Sequence, residues 1–281
     1  PGARDVFARF LRQADIVVEN FSAGTLDRLG VGYPFARSIN PRVIYCSISG
    51  FGAAQAPGTG KAMDTIIQAL SGLMMTSGAP EEPPVRVGVA VAGLLAPVFG
   101  VVGILAALRQ REATGTGQHV DVSMLGVLTS LVAAEPFDLL EACGLPQRTG
   151  RVVPRLTPFG IYESADGHVA ICAPTEQFAR DVFAAIGHPE FEHDPRFATR
   201  DARVAHVNEI NAHIETFTRT LPTAELLPLL ERHRGPAAEV RSPREAVRDA
   251  PVQARGETVP LEHPKFGSVA DVVGMGVPIT F

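Results

Sequence analysis

Lys61 ends a glycine-rich stretch, GFGAAQAPGTGK, and GTGK at 58–61 has the composition of a phosphate-cradling turn. A true phosphate loop needs glycine five positions before its last glycine and Ser or Thr after the lysine. Gln55 and Ala62 hold those places, so that chemistry is excluded. A looser role remains, in which Lys61 faces a phosphate or carboxylate as a point charge; the plain alternative is a solvated loop lysine. His188 and His193 share a Pro/Asp-rich loop without metal-ligand spacing, so no metal site is expected. No G-x-S-x-G elbow exists, and no cysteine pairs locally with a histidine. TGTG at 114–117 reads as a helix-to-strand turn.

The elements around these residues alternate in type. RDVFARFLRQA (4–14) sets Val6, Phe7, Phe10 and Leu11 on one helical stripe, and DIVVE (15–19) reads as a buried strand. TLDRLG (25–30) is a short helix stopped by Gly30, and Pro34 opens another. VIYCSIS (43–49) is a second strand, and a helix is expected over 63–75. Residues 87–108 carry no charged or hydrogen-bonding side chain, a length that raises the question of a membrane span. The spacing divides them instead into a strand, VRVGVAV (85–91), and a helix over 94–112, followed at once by a turn and the strand HVDVS. Strand, helix, turn, strand is an α/β pattern with its centre buried on both faces.

A second texture follows residues 136–157. FGIYES-ADG-HVAICA (159–173) is a hairpin, TEQFARDVFAAIG a capped helix, and 201–220 one long amphipathic helix. TAELLPLLERH follows, interrupted by Pro228, and SPRE at 242–245 carries a capping box.

Over 281 residues, 46% are hydrophobic and 20% charged, proportions usual for a globular enzyme. The net charge of −5, with no basic run, argues against nucleic acid and anionic membrane as partners. Cys46, Cys143 and Cys172 are odd in number and widely spaced, which suggests a reducing compartment without a disulfide framework.

The order of motifs carries more than any single one. DIVVENFSAGTLDRLGVGY, NPRVIYCSISGFG, MDTIIQALSGLM, then PPVRVGVAVAGLLA with GILAALRQREATGTGQHVDVSML, resembles the class III CoA-transferases, relatives of the α-methylacyl-CoA racemases. FGIYESADGHVAI, DPRFATRDARVAH and VVGMGVPITF continue the resemblance more weakly. It implies an α/β fold, with a Rossmann-like large domain split in sequence around a small α+β domain, and an interlocked dimer in the cytoplasm. The expected divisions are 1–140 (large), 141–157 (linker), 158–236 (small) and 237–281 (a return to the large domain). Family members begin with a further strand–loop–helix, so this chain is expected to lack an N-terminal part.

The resemblance also implies coenzyme A or acyl-CoA as substrate, with no permanently bound cofactor, and a carboxylic acid as acceptor. Asn20 and Phe21 of VENF would line the CoA site, with Arg28 near the phosphates and Lys61 contacting CoA. The family nucleophile is an aspartate that attacks the thioester, splitting one hard step into two. It stands in text like V-G-V-x-x-A-D-L-x-A-G; here VGVAVAGLLAP puts Gly93 in its place. Asp64 matches an acidic residue near the catalytic centre, where a supporting role is expected. Asp121 reads as structural. Racemisation would lack both bases, since Met63 and Gly93 stand at their positions. Three readings follow: a transferase that relies on an aspartate-bearing partner subunit or on altered chemistry, an acyl-CoA hydrolase or lyase using Asp64 or water, and a non-catalytic acyl-CoA binding subunit.

Overall fold

The computed structural model describes residues 2–53 and 61–280. Residues 58–60 of the GTGK turn lie outside this range, and Lys61 lies inside it. The chain divides into two compact units, residues 1–150 and 151–281.

In the first unit, α1 (Ala3–Leu11), β1 (Ile16–Glu19), α2 (Thr25–Arg28), α3 (Tyr33–Ile39) and β2 (Ile44–Ser49) come in succession. Then follow α4 (Asp64–Leu70), a 3₁₀ turn at Leu73–Met75, α5 (Val91–Thr114), β3 (His119–Ser123), α6 (Met124–Val132) and α7 (Phe137–Ala142). The strands form a parallel sheet in the order β1-β2-β3, with Val17, Tyr45 and His119 in one cross-strand row and Val18, Cys46 and Val120 in the next. The two rows point to opposite faces. One face packs Val17 and Tyr45 against α1 and α3 through Leu11, Ala36 and Phe7. The other packs Cys46, Val122 and Ile48 against α5 and α6.

Small residues let α5 lie close to the sheet. Ala92, Ala96, Gly100 and Ala107 are its buried positions, and a methyl at Gly100 would already press Ile48 at 3.3 Å. Among the described residues, α5 is long and apolar enough to cross a membrane. Its buried stripe is seated on β2 and β3, and Arg111 near its end pairs with Asp15 at 3.0 Å. The turn after α5 needs its glycines: Gly115 adopts φ 75°, and a Cβ on Gly117 would fall 2.0 Å from the Val43 carbonyl.

Three local expectations change in this unit. Residues 85–90 form no strand, because Gln68 supplies their hydrogen bonds: its Oε1 accepts from Val87 N at 2.9 Å and its Nε2 donates to Val89 O at 3.3 Å. α5 therefore starts earlier, at Val91. The expected helix over 63–75 breaks at Gly72, whose φ of 83° ends α4 and admits the 3₁₀ turn. β1 alternates exposed and half-buried positions, since it pairs with β2 along one side only.

The second unit holds β4 (Phe159–Glu163), β5 (His168–Cys172), α8 (Glu176–Ala185), α9 (Arg200–Ala205), α10 (Val207–Thr218), α11 (Thr223–Arg232) and β6 (Ala237–Glu239). β4, β5 and β6 form an antiparallel sheet over a core of Ile171, Phe183, Phe197, Ile210, Ile214 and Leu226. The long helix expected over 201–220 is two, broken at His206, so that Arg203 and the Ile210–Ile214 pair are each buried. After α12 (Pro243–Ala246), which carries the capping box, and α13 (Ala250–Ala254), β7 (Thr258–His263) and β8 (Gly267–Met275) close a hairpin.

Candidate active site

The carboxyl ends of β1 and β2 gather the residues singled out in the sequence. Asn20 and Phe21 follow β1 directly, and the Phe21 ring is 57% exposed at the rim. Its backbone N–H donates to Glu19 Oε2 at 2.9 Å, which turns the chain out of the strand. Gly24, with φ 73°, starts α2, and Arg28 at its end is exposed, donating to Thr25 Oγ1 at 3.0 Å. Lys61 is brought alongside by the loop after β2. A Cβ on Gly50 would fall 2.0 Å from that of Ala62, so only glycine admits this crossing. Lys61 and Ala62 thus line a small cleft with Ser22, Ala23, Ser49 and Phe51. Asp121 holds the start of the same loop, its Oδ2 accepting from Ala53 N at 2.8 Å, which is the structural work expected of it.

Asp64 and Gly93 meet at the start of α5. Ala90 provides no side-chain cap for this helix, leaving its first N–H groups unpaired within the segment. Asp64 Oδ1 fills the gap, accepting from Ala92 N at 2.8 Å and Gly93 N at 3.2 Å. A carboxylate there also suits the positive end of a 24-residue helix. Its other oxygen accepts from Gln68 Nε2 at 2.7 Å. Gln68 is fully buried and ties Asp64 to the 87–89 backbone, a role that the sequence did not signal.

Gly93 is exposed, and a Cβ built on it meets nothing within 4 Å. Pro97 lies four residues on and has no N–H for the Gly93 carbonyl. Position 93 therefore presents an open side and a carbonyl relieved of its helical partner. A side chain placed here would project from the first turn of α5 into open space.

Opposite α5, the sheet carries a polar row. Ser47 Oγ and His119 Nε2 are 2.9 Å apart, and His119 stacks on Tyr33 with centroids 4.9 Å apart. The sequence reading missed this cluster, because its members come from α3, β2 and β3 and no spacing links them. No group of three or more His, Cys, Asp or Glu among the described residues is placed to hold a metal ion.

A parallel sheet whose loops gather polar groups at the strands' carboxyl ends defines an α/β protein of the kind that binds ligands at that edge. Residues 1–281 match the family described as CoA-transferase family III, and the chain belongs to it. It is 35% identical over 254 residues to the succinate–glutarate CoA-transferase of Agrobacterium fabrum, covering 90% of this chain and 64% of that one. It is 36% identical over 280 residues to the acetyl-CoA:oxalate CoA-transferase of Acetobacter aceti, covering 96% and 72%. A crystal structure of a CaiB/BaiF family protein from Brucella suis superposes with a TM-score of 0.81 at 31% identity, covering 99% of this chain and 71% of that one. The chain thus spans about two thirds of the length of the relatives it matches.

Proposed function

We propose that this protein binds the nucleotide end of an acyl-CoA at the carboxyl ends of β1 and β2, and serves in moving CoA between a thioester and a carboxylic acid. Asn20, Phe21, Arg28 and Lys61 would contact CoA, a substrate that leaves after turnover. Family membership supports the reaction class, and the clustering of Lys61 with the loop after β1 supports the seat. The acyl group and the acceptor acid are left unassigned.

The observation that carries the reading is the open Gly93 beside a capped helix start. In the proposed alignment this is the nucleophile's position, and glycine supplies neither nucleophile nor base. Transfer then requires a carboxylate from elsewhere, and a heteromer with an aspartate-bearing subunit fits best, with an interlocked homodimer as the simpler assembly. The exposed apolar side of α5, with Leu94, Val98, Phe99, Val101, Val102 and Leu105, supports a face that is covered in the assembly. A large domain over 1–140, completed by a return of 237–281, and a cytoplasmic location belong to the same proposal.

Replacing Gly93 by Asp and assaying CoA exchange over a panel of acids tests it. Gain of transfer supports an otherwise intact site. If Gly93→Asp binds CoA and stays inert, the assignment of position 93 is wrong. A hydrolase or lyase acting through Asp64 is the second reading. The commitment of both Asp64 oxygens to capping and to Gln68 argues against it, and full thioesterase loss in Asp64→Asn, with the fold kept, would reinstate it.

A further inference from the structure

The sheet face opposite α5 carries an acidic cleft of about 360 Å³, walled by α2, the start of α3, and the polar row of the sheet. Glu19, Asp27 and Asp121 line it, and no lysine or arginine does. None of the three carboxylates has an ion-pair partner among the described residues. Glu19 Oε2 and Asp121 Oδ2 accept from the backbone N–H groups of Phe21 and Ala53, which leaves the net negative charge of the cleft for a cation to offset. The cleft adjoins the Lys61 seat, sharing Ser22, Ala23 and Ser49 with it, and differs from it in being lined by carboxylates.

A second observation points to a ligand. Tyr45 lies in the cleft wall, is 2% exposed, and its hydroxyl has no hydrogen-bond partner. Leaving a buried hydroxyl unpaired is costly, so such a group marks a place where a partner is wanted. Burial, then the charges of Glu19 and Asp27, push its phenol up to about 12, so the oxygen stays neutral and able to accept. Tyr33, Tyr45 and His119 form an aromatic wall, with ring centroids 4.9 to 5.8 Å apart. Carboxylates, a free phenol oxygen and π faces together suit a positive charge. The acids do not converge into a metal-holding group, so the charge they match is spread along the cleft.

We infer that the cleft between α2, α3 and the polar sheet face binds a small organic cation carrying two or more ammonium groups. One ammonium would sit against Glu19, Asp27 and the Tyr45 hydroxyl, the other toward Asp121 and Ser47. Neither placement depends on the CoA reading.

Calorimetric titration of the full chain with 1,4-diaminobutane and with spermidine, in about 150 mM salt, is the test. Saturable one-to-one binding is expected, with none for 1,4-butanediol or magnesium chloride. Asp27→Asn should weaken it about ten-fold, Tyr45→Phe should weaken it by a similar factor with the ring wall kept, and the distant acid variant Asp138→Asn should not change it. Should Tyr45→Phe fail to fold, the exposed Asp27 still decides. Absence of saturable binding overturns the inference, as does an equal loss in Asp138→Asn or stoichiometric magnesium binding. A change in sedimentation on Asp27→Asn without amine binding would instead assign the cleft to a basic side chain of a second copy, and would also overturn it.

Discussion

The Asp64 carboxylate lies 2.8 Å from the backbone nitrogen of Ala92 and caps a helix that starts almost thirty residues later in the chain. Asp64 is the first residue of its own short helix, where one oxygen accepts from Gln68, yet the other is spent on the next long helix. That link sets where α5 begins, and hence where position 93 stands relative to the strand ends.

Removing the cap should loosen that junction. Asp64→Ala is expected to cost about 1–2 kcal/mol, and Asp64→Asn about half as much because an acceptor oxygen remains. Denaturant unfolding gives the totals. Hydrogen exchange should show the gain in opening confined to the first turn of α5; uniform loss of protection along the helix would contradict capping.

Two glycines of α5 should respond with opposite sign. Gly93→Ala meets open space and should stabilise by about 0.5–1 kcal/mol through helix propensity. Gly103→Ala would set a methyl 2.6 Å from Val120 Cγ1, on a β-branched side chain with little freedom to turn, and should cost about 1–3 kcal/mol. Melting both variants in parallel checks the pair, and a gain at Gly103 would show that β3 yields more than expected.

Arg203 is a buried latch of the second unit. It is 1% exposed and donates to Thr157 O and Phe197 O, each at 3.0 Å, and to Glu176 at 2.8 Å. Arg203→Leu keeps bulk but leaves two carbonyls without this donor, while the half-exposed Glu176 keeps Arg200 N and solvent, at a cost of about 2–3 kcal/mol. Arg203→Lys reaches fewer acceptors and should fall between. Equal stability of wild type and Arg203→Leu would show that water replaces the guanidinium freely.

Asp194 gives the second unit an acid-sensitive contact. Hydrogen bonds from the Arg196 side chain and backbone hold its carboxyl down at about 2. A carboxylate whose folded pKa is depressed adds stability that is complete above its unfolded value near 4 and is lost as pH falls toward about 2. Asp194→Asn should therefore lower stability at pH 7 and flatten the decline between about pH 4 and 2. Melting curves across that interval read it, and parallel slopes in the two proteins would exclude the contact as a source.

Much of the fold was legible because local rules and long-range packing agree. IYCSIS reads as a strand and lies at the centre of the sheet; Thr175 and Ser242 read as caps and accept the expected backbone bonds. The reading failed where one side chain overruled periodicity. VRVGVAV alternates like a strand, but Gln68 takes the hydrogen bonds that a neighbouring strand would have supplied. Of the candidate site, Lys61 was singled out by its glycine-rich loop, and Asn20, Phe21 and Arg28 were named from order of motif alone. The Ser47–His119 contact and the Tyr33–Tyr45–His119 wall were not, since they join residues with no shared spacing.

By itself the sequence determined the alternation of elements, the family, and the glycine at position 93, because composition, periodicity and motif order are properties of neighbours along the chain. Only tertiary structure decided that Asp64 serves as a cap, that Gly93 opens on empty space, and that three acids share one cleft. Those facts depend on which strand lies beside which, and hydrogen bonds and charges act over a few ångströms of space regardless of how many residues separate the groups.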